Sequence, residues 1–210
     1  MKSFIVSGVR TARSGSKAAI YRHLNIVNII AYEQESDKLA RIKEISLQYH
    51  YKLINTDVIL SSMAIFMLEV CRNAIREKEA NTELYDFIAQ WLEHMDARTH
   101  SHPCLHLLFM IELSHHLGFG PMTNINDRDT YFDMLEGMFC EYHGGSEYIM
   151  DLEDSKVFYK LSQTDREHIS QLQLTKMQRN SLADQLIKYY KIHNSGFKDL
   201  NSLEVLRNVL

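Results

Sequence analysis

The clearest pattern of apolar and polar positions runs from Pro103 to Pro121. Leu105, Leu108, Phe109, Leu113 and Leu117 recur at spacings of three and four, which predicts a helix with one apolar face. Met110 and Ile111 widen that face, so this helix is expected to be wrapped on more than one side. Pro103 suits a first turn, where its missing N–H costs nothing. Gly118 supplies the stop, and Pro121 blocks a quick restart. We read the segment as the central strut of a helical body.

The same periodicity marks its neighbours. Ile59, Met63, Phe66, Met67, Val70 and Ala74 predict a helix over 55–78, capped by Asn55, Thr56 or Asp57. Leu84, Phe87, Ile88, Trp91 and Leu92 predict another, capped by Asn81 or Thr82, with Met95 extending its stripe. Short links make antiparallel packing the expectation. After Pro121 the pattern changes. Tyr131–Phe132–Asp133 and Gly137–Met138–Phe139 predict a small β-hairpin with 135–137 at its tip. A short helix is expected over 155–161, begun near Asp151, and a short or irregular one over 165–174. The last long helix spans 175–193. Leu200, Leu203, Val205, Leu206 and Leu210 close the body.

The first 48 residues read differently. Residues 3–9, 24–33 and 38–45 carry strand character, which makes a marginal three-stranded sheet. The expected class is α+β and mostly helical, with a β element over 1–48 and a helical domain over 49–210.

Charge changes the picture of that head. The whole chain carries a net charge of -4. Before Glu33, however, Lys2, Arg10, Arg13, Lys17 and Arg22 stand without one acidic residue. A basic head on an acidic body suggests an anionic partner. Arg10, Arg13, Lys17 and Arg22 are the candidate contacts to a phosphate backbone. The alternative is a solvated basic loop. Aromatic stacking partners are scarce there, Tyr21 and Phe4 being the early candidates.

Candidate chemistry narrows the classes further. Cys71, Cys104 and Cys140 form no CxxC pair, so neither a disulfide framework nor a cysteine zinc site follows. Cys71 and Cys104 are expected to be buried. His100, His102, His106, His115 and His116 cluster without an HExxH pattern, and Glu112 is the nearest carboxylate. Surface or capping roles are the expectation for them, rather than zinc. Asp127, Asp129 and Asp133 do not match a calcium-loop spacing. No phosphate-cradling glycine motif or nucleophile elbow is present. No apolar run is long enough to span a membrane, and no signal-peptide core is seen, so a cytoplasmic protein is the default. A non-enzymatic binding protein without cofactor is the expected class. A protein-only adaptor is the rival, and a degenerate enzyme or metal protein a third.

Three stretches carry a resemblance. They are Leu105–Leu108–Phe109 through Leu117–Gly118–Phe119 to Pro121; Tyr131–Phe132–Asp133 with Gly137 and Phe139; and Leu186 to His193 with Leu200, Ser202, Leu203 and Leu206. In that order and spacing the chain resembles the bacterial RecO recombination mediators, in their Bacteroidetes-like form without zinc cysteines. The likeness runs over nearly all of residues 1–210. It implies an N-terminal OB-fold followed by a helical domain, so the head is expected to be a partial, N-terminally truncated OB-fold: the barrel's opening strands have no counterpart before Ser3. It implies binding of single- and double-stranded DNA, strand annealing, and work with RecR to load the recombinase RecA on strands coated by the single-stranded-DNA-binding protein SSB. No nucleotide hydrolysis is implied. Many relatives carry a four-cysteine zinc module after the proline matching Pro121. Here Cys140 stands alone, which argues against zinc. The family's helical domain accepts the acidic, apolar C-terminal tail of SSB. The candidate site for it here is Lys176, Arg179 and Lys188 beside Leu172, Leu182 and Leu186.

Overall fold

The computed structural model describes residues 4–6, 19–21, 24–32, 39–76, 80–97, 101–123, 130–142 and 146–210. The chain opens with β1 (Phe4–Ile5), β2 (Ile26–Ala31) and β3 (Ala40–Tyr49). The sheet order is β1-β3-β2, with β1 parallel and β2 antiparallel to β3. Register shifts flank Ile26 and Ile30, so β2 is kinked at both ends. Of the strand expected over 3–9, only Phe4–Ile5 is seen among the described residues, while β3 runs past the expected Ile45 to Tyr49. Much of this sheet is not covered: Ile30 is 55% exposed, and Ile29 and Leu47 are also open. Leu24 and Ile26 are the exceptions, packing onto the body's core.

The body consists of α1 (Val58–Ala74), α2 (Thr82–Ala97), α3 (Leu105–His116), α4 (Leu152–Ser162), α5 (Lys176–His193) and α6 (Ser202–Val209). The class is α+β, with helices dominant. Between α3 and α4 lies the hairpin of β4 (Tyr131–Asp133) and β5 (Met138–Cys140). Four of these six helices begin where a local side chain satisfies free N–H groups, α3 and α6 being the two without such a cap. Asp57 accepts from Ile59 and Leu60, Asn81 from Leu84, and Asp151 from Asp154. Thr175 and Gln178 form a reciprocal capping box at α5.

α3 is the centre. Residues from Leu105 to Ile111 are all buried, followed by Leu113 and Ser114. α1, α4 and α5 pack around it. Burial of each Leu or Phe there contributes roughly 1.5–3 kcal/mol. Gly118, at φ +83°, ends the helix in the left-handed region that glycine tolerates. α6 lies against α1, so the closing helix seals the far side.

The hairpin is fastened on two sides. Ser155 accepts from the Phe132 N–H at 3.0 Å and donates to the Met150 carbonyl at 3.1 Å. Gly137 (φ +68°) turns the tip, and a Cβ there would come 3.0 Å from the Tyr189 hydroxyl. The segment 165–174 holds, as expected, only a short irregular helix, the 3-10 turn Ile169–Gln171. Two expectations need correction. α1 stops at Ala74 rather than 78, where Ile75 turns extended. His106 is neither on the surface nor a cap: it is 4% exposed and meets Phe66 edge-on.

Candidate nucleic-acid and partner interfaces

Two regions were singled out by sequence. The first is the N-terminal half of α5. The capping box turns Lys176 outward in the first turn, and Arg179 follows one turn on. Lys176 Nζ donates to the Arg207 carbonyl at 2.6 Å. Arg179 donates to the Leu174 carbonyl at 2.8 Å and to the Leu210 main-chain oxygen at 3.0 Å. Both cations therefore gather at the C-terminal end of α6, where free carbonyls and the helix dipole favour positive charge. Arg207 returns to α5, donating to Asp184 at 2.6 Å.

Lys188 is not part of this cluster. It lies twelve residues along α5, roughly 18 Å away. There it donates to the Glu147 carbonyl at 2.6 Å and stands over Tyr148. Leu182 and Leu186 belong to the core, at 0% and 1% exposure. They support the α5 surface from below rather than line an open groove. Leu174, half-buried, lends its carbonyl to Arg179 at the corner, while Leu172 lines a different hollow with Tyr159 and His168.

The second region is the head. Arg10, Arg13, Lys17 and Arg22 lie outside the described residues. So do Asp127 and Asp129, considered above for metal binding. What is described is a trough of about 630 Å³ on the sheet, lined by Tyr21, Asn28, Ile30, Arg41 and Lys43 among others. Tyr21, noted as an early aromatic, thus sits beside two cations of β3. Sequence reading assigned Arg41 and Lys43 only to a strand. Their spacing of two, which puts both on one face, was the signal available.

A further residue was missed altogether. Asp96, near the end of α2, is 8% exposed. Its carboxylate accepts the main-chain N–H groups of Lys52, Leu53 and Ile54 at 2.9, 2.8 and 2.9 Å. It ties the turn between β3 and α1 to the body, and so sets where the sheet leaves it. Nothing in its local sequence distinguishes it from a solvated helix-end carboxylate.

The interior offers little for covalent chemistry. Burial pushes the Cys71 thiol up to about 12 and the Cys104 thiol up to about 11, so both stay protonated. Glu112 accepts from Trp91 Nε1 at 2.9 Å and from Arg166 Nε at 3.0 Å, while the Arg166 guanidinium lies 4.4 Å over the Trp91 ring. That knot fastens the 163–171 segment to α2 and α3; its carboxylate is used up in structure. His116 packs on Phe87 and His193 on Phe119. Among the described residues no three His, Cys, Asp or Glu side chains converge as metal ligands. No described helix is long and apolar enough to cross a membrane.

A small, open β element joined to a helical body with an inserted hairpin makes this an α+β protein dominated by its helices. The family model described as "Recombination protein O C terminal" matches residues 55–203. The "DNA repair protein RecO" of Flavobacterium psychrophilum is 30% identical, covering 100% of this chain and 87% of that protein. The proteins of the same name from Christiangramia forsetii and Bacteroides fragilis are 28% and 27% identical, each covering 99% of this chain and 86% of theirs. The chain belongs to the RecO family. That membership supports a role in DNA repair and recombination.

Proposed function

We propose that the protein is a non-enzymatic DNA-binding mediator in recombinational repair. It holds single- and double-stranded DNA, promotes annealing of complementary strands, and with RecR helps load recombinase on SSB-coated strands. The observation that carries DNA binding is the charge division: five cations precede the first acidic residue, Glu33. Arg10, Arg13, Lys17 and Arg22 are the proposed phosphate contacts. Arg41 and Lys43 on β3 add two cations against one carboxylate, Glu44, to the lining of the sheet trough. Phosphate neutralisation releases counterions, so affinity falls steeply with salt and depends weakly on sequence. Replacing those four head cations by Glu weakens binding to all oligonucleotides alike. On single strands the slope of log affinity against log salt drops by about 3 units. Anisotropy titrations across a salt series measure this. A quadruple variant with wild-type affinity at low salt removes the head from the DNA site. Binding of proteins only, with no DNA retained by the wild-type chain at low salt, supports the adaptor reading.

The second part of the reading is a partner site for the SSB tail at the Lys176–Arg179 corner. Leu174 provides apolar edge there, Leu182 and Leu186 support it from the core, and Lys188 adds charge further along α5. A terminal carboxylate and apolar side chains suit cations at a rim with apolar area beside them. Lys176→Glu tests the corner, because Lys176 is exposed and the change leaves the core intact. A labelled tail peptide loses at least ~1 kcal/mol of affinity while the thermal midpoint moves little. Equal binding by wild type and variant places the tail elsewhere.

A further inference from the structure

We propose that the helical body carries a phosphate-binding cleft, formed by Arg72, Arg76 and Lys198, which holds the backbone of a nucleic-acid strand. The proposal rests on the DNA-binding reading above. The cleft encloses about 500 Å³ between the C-terminal end of α1 and the segment linking α5 to α6. Arg72, in the last turn of α1, and Arg76, just past its end, line the cleft together with Lys198 from the segment after α5.

The balance of charge inside the cleft favours an anion. Two carboxylates also line it, Glu69 and Asp199. Both are already engaged. Glu69 accepts the main-chain N–H groups of Asn201 at 3.0 Å and Ser202 at 2.8 Å, and the Ser202 hydroxyl besides. Asp199 is paired with Lys191 at 2.6 Å. Arg72, Arg76 and Lys198 are exposed and have no ion pair or hydrogen bond with any described residue. Three cations with no described partner thus outnumber the one carboxylate, Glu69, that faces the cleft without a cation of its own, since Asp199 is paired with Lys191.

Gly196 makes the arrangement specific. The Arg76 guanidinium lies directly over it: a Cβ at position 196 would come 1.7 Å from Nη2 and 2.3 Å from Cζ. The missing side chain lets Arg76 lie down at the rim instead of projecting into solvent. No aromatic residue lines the cleft, so it grips phosphates and leaves bases unread. Leu24 of the head lines an adjoining pocket with Glu69, Arg72 and Asn201, so the cleft borders the head.

The test uses the full chain and a fluorescein-labelled oligothymidylate, titrated across a salt series. Each neutralised phosphate on a single strand contributes a slope of about -0.7, so Arg72→Gln with Arg76→Gln and Lys198→Gln flattens the slope by about 2 units. Annealing of complementary oligonucleotides slows in parallel, and the thermal midpoint stays within error because the three side chains hold nothing in place. Gly196→Ala gives a second, independent readout. It displaces Arg76 and weakens binding in the wild-type background, yet changes nothing further once Arg76 is Gln. A triple variant with unchanged slope and annealing, while reversal of the head cations abolishes binding, overturns the cleft and leaves the DNA reading standing. Additive effects of Gly196→Ala and Arg76→Gln overturn the role given to Gly196. A wild-type chain that binds no oligonucleotide overturns both readings together.

Discussion

Asp96→Ala destabilises the protein by ~3–5 kcal/mol, a large fraction of what a domain of this size possesses. Three main-chain N–H groups lose their acceptor at once, and one of them belongs to Ile54, which is fully buried. Hydrogen bonds to a charged acceptor are worth about 1.5–3 kcal/mol each, but three sharing one carboxylate do not add fully. Water can reach Lys52 once the turn loosens, so the loss is less than the sum. Asp96→Asn keeps one acceptor oxygen and loses roughly half as much. Urea unfolding measures both. The site of damage is also defined: amide exchange accelerates first at Lys52, Leu53 and Ile54, where the sheet joins the helices. A change under ~1 kcal/mol for the Ala variant would mean the turn is held by Tyr51 and Ile54 packing alone.

The second large effect is acid sensitivity centred on His106. Burial drives its imidazole down to about 3, and the positive charge of Arg179 pushes the same way. The folded protein therefore keeps His106 neutral where the unfolded chain, titrating near 6.5, takes up a proton. The unfolded state binds more protons between those values, so stability is full above pH 6.5 and is lost as pH falls toward 3. The slope approaches roughly 1.4 kcal/mol per pH unit, giving on the order of 2–3 kcal/mol between pH 7 and pH 4.5. Nδ1 of His106 has no hydrogen-bond partner, and the one main-chain hydrogen bond that favours the charged form, to Pro103, is outweighed by burial. His106→Leu removes the titration. Whatever it does to stability at pH 7, its stability changes less between pH 7 and 4.5 than that of the wild type. Parallel pH dependences for the two proteins would assign the acid loss to other groups.

The helices were legible because their causes are local. Leu105, Leu108, Phe109 and Leu113 repeat with helical period, and Thr175 with Gln178 writes a capping box in four residues. The hairpin was legible from two short apolar runs around Gly137, whose positive φ few other residues adopt. The basic character of the head, and with it the DNA reading, is also a property of the linear chain.

Side-chain destination was a different matter. Leu182 and Leu186 look like groove residues beside Lys176 and Arg179, because helical period shows which residues share a face and not what covers it. Only the packing of α5 on α3 and α4 puts them inside. His106 shares a sequence cluster with exposed His115 and His116, yet full wrapping of α3 buries the first and not the others. Asp96 and its three N–H partners are over forty residues apart, and Arg76 and Gly196 are 120 apart. The amphipathic elements follow from the sequence by itself, since their period and caps act within a turn or two. The joint at Asp96, the buried histidine and the Arg72–Arg76–Lys198 cleft exist only once those elements pack, because each depends on the distance between side chains that the chain alone leaves free.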